Sequence, residues 1–497
     1  MSIYSHSVCV RASLILIFAV CMVLTVVAPA QVSLTQLSVD TFTDNPSQHA
    51  TEVEPGAYSY GSTIVTAFQV ARIYGGGGAD VGFATSKDGG ATWTNGYLPG
   101  ITIYQGNGTY DAASDAAVAY DALHGVWLIS TLPIGNNTAV AVSRSTDGLN
   151  WSGPYMVTTQ GDPDKNWIVC DNTATSKYYG HCYSEWDSTD AGDLIQMSTS
   201  TDGGITWSPA KATAGFDYGI GGVPVVKPNG KVIVPIAGFN GYMIAFSSAN
   251  GGKSWTRAVN IATYPSHAEA GGLRSAGLPS SAIDAKGKVY VAWPDCRFRT
   301  NCAENDIVYS TSGNGTTWSA VQRVPIDAVS STVDHFITGM AIAPGTSGAK
   351  AQITLAYYYY PVSACGYSCS MYAGVIQSAN AGKTWTPAQT LAGPMDVEHW
   401  LPNTFSGYMV ADYISVGYAN GKAFPVYAVA LAKNGSLFQQ AIYTTATGLV
   451  AAGPEVEQLS SEGDLPVPNA HSDHGPMEYL DQEHRIPIKG HRPPANE

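Results

Sequence analysis

Short apolar runs separated by Gly-, Asp- and Asn-rich turns follow one another from residue 58 to residue 450. One stretch shows the order: SSAIDA (280–285), the turn KGK, VYVAW (289–293), a variable loop and DIVYSTS (306–312). Runs of this length bounded by turn residues predict antiparallel β-strands, four to a unit. Seven such units are predicted, near 58–100, 110–157, 162–214, 219–262, 272–326, 334–393 and 405–448. The pattern therefore predicts an all-β fold.

The turn before the fourth strand recurs as a box of Ser, then Asp or Asn, then Gly, then Trp. Its six copies are SKDGGATW from Ser86, STDGLNW from Ser145, STDGGITW from Ser200, SANGGKSW from Ser248, SGNGTTW from Ser312 and SANAGKTW from Ser378. Asp and Asn hydrogen-bond the backbone two residues on, Gly accepts positive φ, and Trp offers a large apolar surface. One hairpin type, used once in each of six units, indicates a repeat architecture; the seventh unit has no box.

The six boxes, S-x-D-x-G-x-x-W, resemble the Asp-box or BNR repeats of the sialidase-like β-propeller superfamily, over residues 58–450. The resemblance implies a propeller of four-stranded antiparallel blades, with seven blades preferred and six as the alternative. It also implies that the boxes are structural and lie on the face away from the substrate.

For a sialidase, the resemblance implies three arginines that bind the substrate carboxylate and an Arg-Ile-Pro motif before the first box. It also implies an acid and a Tyr/Glu nucleophilic pair. Here the region before the first box reads YSYGSTIV, and no arginine occurs between Arg323 and Arg485. Arg485-Ile486-Pro487 lies at the wrong end of the chain. The pattern therefore does not favour a sialoside. The remaining anion-binding candidates are Arg72, Arg274 and Arg297, with Asp80 following Arg72 as an acid.

A closed ring of units would place the starts of the innermost strands, and the loops between second and third strands, around one mouth of a central channel. Polar and ionisable residues recur at these places. The candidates for catalysis are Asp115, Asp164, Asp334, Asp412 and Tyr413. The candidates for substrate binding are Arg72, Lys165, Trp167, Arg274, Arg297, His335 and Glu185.

Glycoside hydrolysis needs two carboxyl groups about 5 Å apart for retention or up to about 9 Å apart for inversion. The sequence does not choose the pair, and Tyr413 beside Asp412 is an alternative nucleophile. Each Asp is also explained as a cap at a strand start, Lys165 as an ion pair with Asp164, and His335 as a hydrogen-bonded residue at the edge of the core.

The N-terminal segment predicts export, and the two ends of the chain are predicted to lie outside the repeated units. Arg11, an apolar run over 12–27 and Ala28-Pro29-Ala30 predict a signal peptide, residues 1–30, rather than a lasting membrane anchor. Residues 31–57 are predicted to be an N-terminal arm, and 451–497, rich in Pro, His and acidic residues, a disordered tail. The protein is expected to be extracellular or periplasmic.

The cysteine positions predict disulfides, and the net charge limits the classes of partner that the protein can bind. Six cysteines fall into close pairs, Cys170 with Cys182, Cys296 with Cys302 and Cys365 with Cys369, which predicts three disulfides. The net charge of -14 without a basic cluster excludes nucleic acid as a partner. No cofactor or metal motif is present in the sequence. We expect a monomer that acts on an extracellular glycan or glycoprotein.

Two functions fit these features. One is an exo-acting glycoside hydrolase with a carboxyl pair at the mouth. The alternative is a non-catalytic propeller that binds a glycan or a protein there, without a convergent pair; a structural surface protein is a third interpretation.

Overall fold

The computed structural model describes residues 32–450 and the backbone of 456–457; the predicted signal peptide and nearly all of the predicted tail lie outside this range. The described chain is built of strands, which confirms the all-β prediction. Its single α-helix, α1, covers Val397–Trp400, and the 3-10 helices cover Thr189–Ala191, Thr300–Cys302 and Gly348–Lys350. None of these helices is long and apolar enough to cross a membrane.

The strands run along the chain as follows, and β2 begins at Ser47, within the segment 31–57 that the sequence predicted to be an arm. Before the first unit stands β1 (Leu34–Gln36). The next strands are β2 (Ser47–Tyr60), β3 (Thr63–Ile73), β4 (Gly78–Ser86), β5 (Thr94–Tyr97), β6 (Ala112–Asp121), β7 (Val126–Ile134), β8 (Val140–Ser145), β9 (Ser152–Thr158), β10 (Pro163–Cys170), β11 (Cys182–Ser188), β12 (Leu194–Ser200) and β13 (Lys211–Ala212). The middle of the chain forms β14 (Gly219–Ile220), β15 (Val225–Val226), β16 (Val232–Gly238), β17 (Tyr242–Ser248), β18 (Val259–Thr263), β19 (Ser280–Ile283), β20 (Val289–Asp295), β21 (Asp306–Ser312) and β22 (Gln322–Arg323). The remainder forms β23 (Asp334–Ile342), β24 (Ile353–Tyr360), β25 (Ser370–Ser378), β26 (Thr384–Trp385), β27 (Gln389–Asp396), β28 (Asn403–Thr404), β29 (Gly407–Tyr408), β30 (Ser415–Ala419), β31 (Lys422–Asn434), β32 (Leu437–Thr445), β33 (Leu449–Val450) and β34 (Val456–Glu457).

Pairing is antiparallel within each unit. Four sheets contain β10 to β13, β14 to β18, β19 to β22, and β23 to β25 with β27. A thirteen-stranded sheet joins β30 to β33 with β2 to β5 and β6 to β9, and its thirteenth strand is β1, which pairs with β32. In the C-terminal segment, β34 pairs with β26.

The core lies between neighbouring units, because most central strands are apolar on both faces. On β20, Val291 and Trp293 pack toward the preceding unit, whereas Tyr290 and Ala292 pack toward the following one. Strands buried on both sides read as near-continuous apolar runs, which is why VYVAW carries no polar residue.

The innermost strands share a bulge near their start. The register shifts at Glu54 in β2, at Asp115 in β6, at Lys165 in β10 and at Ile337 in β23. All four residues have positive φ, which is unfavourable for side chains other than glycine. A bulge bends the strand and re-aims a side chain. We call the edge of a unit at which its innermost strand begins the mouth edge.

The boxes form the expected turns. In the second box, the Asp147 carboxylate accepts hydrogen bonds from the backbone N–H groups of Leu149 and Asn150, and the Ser145 hydroxyl accepts one from Gly148. Asn314 accepts the same bonds from Thr316 and Thr317 in the fifth box. An amide oxygen therefore serves as well as a carboxylate, which explains why the sequence alternates Asp and Asn.

We expect Asp147→Ala to destabilise the protein by roughly 1 kcal/mol, as the loss of a helix-capping side chain does, and Asp147→Asn to destabilise it by less at pH 7, because the amide oxygen keeps the hydrogen bonds but not the charge. Urea unfolding measures both. The hydrogen bonds from Asn150 and Leu149 lower the pKa of Asp147. The charge of Asp147 therefore stabilises the fold above the unfolded pKa of about 3.9, and this contribution is lost as the pH falls. Equal stability of the Ala and Asn variants would contradict this account.

Candidate functional site

The three predicted disulfides are present. Cys170–Cys182 links β10 to β11 at the end away from the mouth edge, whereas Cys296–Cys302 and Cys365–Cys369 close short turns in loops at the mouth edge. Gly271 lies against Cys369, where an added Cβ would be 2.9 Å from the sulfur. The disulfide loop therefore packs on the segment that precedes β19.

Five predicted site residues meet in one buried ion network. Arg274 donates two hydrogen bonds to the Asp412 carboxylate, at 2.9 and 2.5 Å. The Lys165 Nζ lies 3.0 Å from the same carboxylate and 3.5 Å from that of Asp115. Asp164 lies 3.8 Å from this Nζ and accepts a hydrogen bond from the Lys165 backbone N–H. We call these five residues the buried network; each is at most 3% exposed.

The network spans distant parts of the chain because the innermost strands begin near one another. Glu54, on the bulge of β2, hydrogen-bonds Asp412 and also accepts from Gln69. Burial, strengthened by the charge of Asp412, raises the pKa of Glu54 well above its usual value, which favours the protonated form of this carboxyl group. Burial opposes ionisation of Asp412 as well, but Arg274 and Lys165 outweigh it and lower the pKa of Asp412.

Trp167 and Tyr413 meet edge to face, their ring centroids 5.2 Å apart. Both line a cavity of about 550 Å³ whose wall contains apolar residues such as Met340 and polar residues such as Asn172. Burial, followed by the surrounding carboxylates, raises the pKa of Tyr413 well above 10. Such a shift disfavours the phenolate that a tyrosine nucleophile needs.

The remaining basic and acidic predictions lie elsewhere. Arg72 is buried and donates to the Gly77 carbonyl and the Met409 sulfur. Arg297 binds Asp295, with 2.7 Å between Nη2 and Oδ2. Glu185 and Asp80 are buried, and burial raises the pKa of each.

A second carboxyl pair lies at the mouth edge between β19 and β23. Asp334 accepts a hydrogen bond of 2.7 Å from the Asn305 backbone N–H, and Glu269 accepts one of 3.0 Å from the Asn305 side-chain amide. Ser275 donates to the other oxygen of Glu269. One asparagine therefore holds both carboxyl groups.

This pair titrates near neutral pH. Burial and the neighbouring Glu269 raise the pKa of Asp334 to about 8, and burial raises the pKa of Glu269 to about 7. Asp334 is fully buried, whereas Glu269 is partly exposed. His267, with its side chain 28% exposed, places Nε2 3.7 Å from Asp334 Oδ2, and burial lowers the pKa of this histidine.

His335 contacts the second carboxyl pair indirectly, through Asn305. Its backbone N–H donates to the Asn305 carbonyl, and its ring packs edge to face on Tyr357. Burial lowers the pKa of His335, so the ring is neutral at pH 7. These contacts match the interpretation of His335 as a hydrogen-bonded residue at the edge of the core.

The sequence missed three residues of this second site: Glu269, Asn305 and His267. His267 and Glu269 belong to YPSHAEAGG, a linking segment without strand periodicity, and Asn305 precedes β21 rather than an innermost strand. A signal was available, because Asn305 lies in WPDCRFRTNCAEND, a loop between the second and third strands of its unit, and the sequence analysis places such loops at the mouth.

Comparison with known proteins identifies part of the chain. Residues 121–341 match a BNR repeat-like domain. This part of the chain is therefore similar to BNR repeat-like domains. A curated xyloglucanase from Paenibacillus sp. is 27% identical over 210 residues, which are 39% of this chain and 20% of that protein. The chain thus spans about a fifth of the length of this relative.

Two glycosidases are among the solved structures to which the chain is similar. The Hadza microbial sialidase Hz136 is 13% identical, with 81% of this chain and 66% of that one covered and a TM-score of 0.42. The α-L-arabinofuranosidase Arb93A from Fusarium graminearum is 12% identical, with 84% and 97% covered and a TM-score of 0.41.

Proposed function

We propose that this protein is an exported glycoside hydrolase whose acid and base are Glu269 and Asp334. The observation that carries the proposal is the shared hydrogen bonding of the two carboxyl groups to Asn305, at a mouth edge and with pKa values raised to about 7 and about 8. The similarity to a xyloglucanase over 210 residues supports a glycosidase.

The proposed chemistry needs one protonated and one ionised carboxyl group. Two coupled acids that titrate near pH 7 and pH 8 hold a single proton between them in that interval. The protonated group donates to the leaving glycosidic oxygen, and the carboxylate either attacks the sugar or activates water. His267, close to Asp334 and partly exposed, lies where this proton would pass toward solvent.

The proposed scaffold is a closed seven-bladed propeller that acts as a monomer on an extracellular glycan. Its support is a cycle of contacts among the innermost strands. The contacts run from β2 to β6, β10, β15, β19, β23 and β30, and from β30 back to β2. Pairing of β1 with β32 would then complete the last blade with the N-terminal segment.

In this scaffold the buried network has a structural role. Asp115, Asp164 and Asp412 are covered and neutralised by Lys165 and Arg274, so a substrate would have to displace an ion pair to reach them. The partly exposed Glu269 does not require that displacement.

Hydrolysis of a panel of chromogenic glycosides across pH 5 to 10 tests the function. We expect kcat/KM to be bell-shaped with its maximum between pH 7 and pH 8. Below the lower pKa both carboxyl groups are protonated and the base is lost; above the higher pKa both are ionised and the acid is lost. Circular dichroism over the same range controls for unfolding. No turnover of any glycoside, combined with retention on a glycan array, would instead support the non-catalytic binding propeller.

A further inference from the structure

Three aromatic side chains stand exposed at the mouth edge of the unit that contains β14 to β18. Phe216, Tyr218 and Phe239 are 64%, 49% and 40% exposed. Gly219 and Gly238 pair across β14 and β16, so Tyr218 and Phe239 leave the sheet at the same position on neighbouring strands. Phe216 is held at positive φ, with its N–H bonded to the Thr213 carbonyl. We call these three residues the aromatic platform.

The platform is tied to the carboxyl pair by a short segment. The Tyr264 hydroxyl donates to the Gly238 carbonyl and its backbone N–H to the Gly241 carbonyl, so this residue is anchored beside Phe239. Glu269 follows five residues later, which bounds the distance along the chain at roughly 17 Å. Two further contacts hold the segment: Cys296 N–H to the Pro265 carbonyl, and His267 N–H to Asn305. The distance is short enough for one oligosaccharide to cover both places.

Charge around the pair favours an uncharged ligand. Arg299 is bonded to Asp306 and Asp327, and Arg323 is bonded to the same two carboxylates. Arg297 is bonded to Asp295, and Arg274 to Asp412. An anionic sugar would have to compete with these aspartates for each guanidinium, and it would meet Glu269 and Asp334 as well.

We propose that the aromatic platform is a binding subsite for the sugar rings of a neutral glycan chain whose scissile bond lies at Glu269 and Asp334. The catalytic part of this statement rests on the proposed function. Aromatic rings cover the apolar faces of sugars without a need for charge, and three of them on a rigid edge present that surface at little entropic cost. Exposure of so much apolar surface at one place is otherwise unfavourable.

The first test is binding. Affinity electrophoresis through soluble xyloglucan, mixed-linkage β-glucan and arabinan, with polygalacturonate as the anionic counterpart, measures retardation of the wild type and of Tyr218→Ala and Phe239→Ala. The matched control is Tyr60→Ala, an aromatic residue 45% exposed at the far end of β2. We expect retardation by at least one neutral polysaccharide, weakened at least tenfold by the platform variants and unchanged in the control.

The second test separates the subsite from catalysis. On the retarding polysaccharide, Phe239→Ala is expected to raise KM at least tenfold, whereas Tyr60→Ala is expected to leave KM and kcat within twofold of the wild type. The subsite is overturned if the platform variants are retarded as strongly as Tyr60→Ala, or if polygalacturonate is the only polysaccharide that retards the wild type. Platform-dependent retardation in a wild type that hydrolyses nothing would keep the subsite and overturn the proposed function.

Discussion

Asp334→Asn is expected to lower kcat at least about a hundredfold, because removal of a general acid or base costs roughly 10²- to 10⁴-fold. The amide oxygen can still accept the hydrogen bond from the Asn305 N–H, so the loop keeps its geometry while the side chain loses its proton. Glu269→Gln is expected to cause a loss of similar size for the same reason. Steady-state kinetics on the best substrate of the glycoside panel measures both.

The control for this experiment is Glu304→Gln, a neighbouring acid of the same loop that accepts from Ser363. It should leave kcat within threefold. The pH profile distinguishes a catalytic role from a structural one, since each single variant should lose one limb of the bell that the coupled pair produces. Full activity of a folded Asp334→Asn protein would remove Asp334 from the mechanism and return attention to Asp115, Asp164 and Asp412.

The repeats were predictable because their information is local. The box turns depend on residues at most a few positions apart, as the Asp147 bonds show, and the three disulfides join cysteines 4 to 12 residues apart. The starts of the innermost strands were also recognisable, and Asp115, Asp164, Lys165 and Asp412 do meet.

The chemistry of the site was harder to predict because it depends on partners far apart in sequence. Nothing near Asp412 shows that Arg274, 138 residues earlier, neutralises it. Glu269 resembles any polar loop residue until burial raises its pKa, and its charge in turn raises the pKa of Asp334. Sequence position was therefore enough to identify candidate acids. Their protonation states depend on contacts that form only when the mouth edges come together in the folded protein.

Lys165→Met is expected to destabilise the protein by about 3–5 kcal/mol, the usual cost of removing one partner from a buried ion pair. The ammonium is covered and lies between the carboxylates of Asp115, Asp164 and Asp412, so its loss leaves Asp115 and Asp164 without this compensating charge in a low-dielectric site. The urea midpoint measures the loss, and Lys87→Met, at an exposed position, is the matched control.

The double variant Lys165→Met with Asp115→Asn should recover part of this stability, because one of the uncompensated charges is gone. Equal midpoints for Lys165→Met and Lys87→Met would mean that the buried network contributes nothing to folding.

The pH dependence of the free energy of unfolding gives a further check on the contribution of each charge. Burial acts to lower the pKa of Lys165, but the surrounding carboxylates raise it above 10.5, so its contribution is complete below the unfolded pKa and fades only as the pH rises through the folded pKa. Because the pKa of Asp412 is lowered in the folded protein, the stabilising contribution of its charge is lost only as the pH falls into the acid range. Lys165 and Asp412 therefore stay charged between pH 5 and 10, and a bell-shaped activity profile within that range would report the titration of Glu269 and Asp334 rather than the loss of this ion pair.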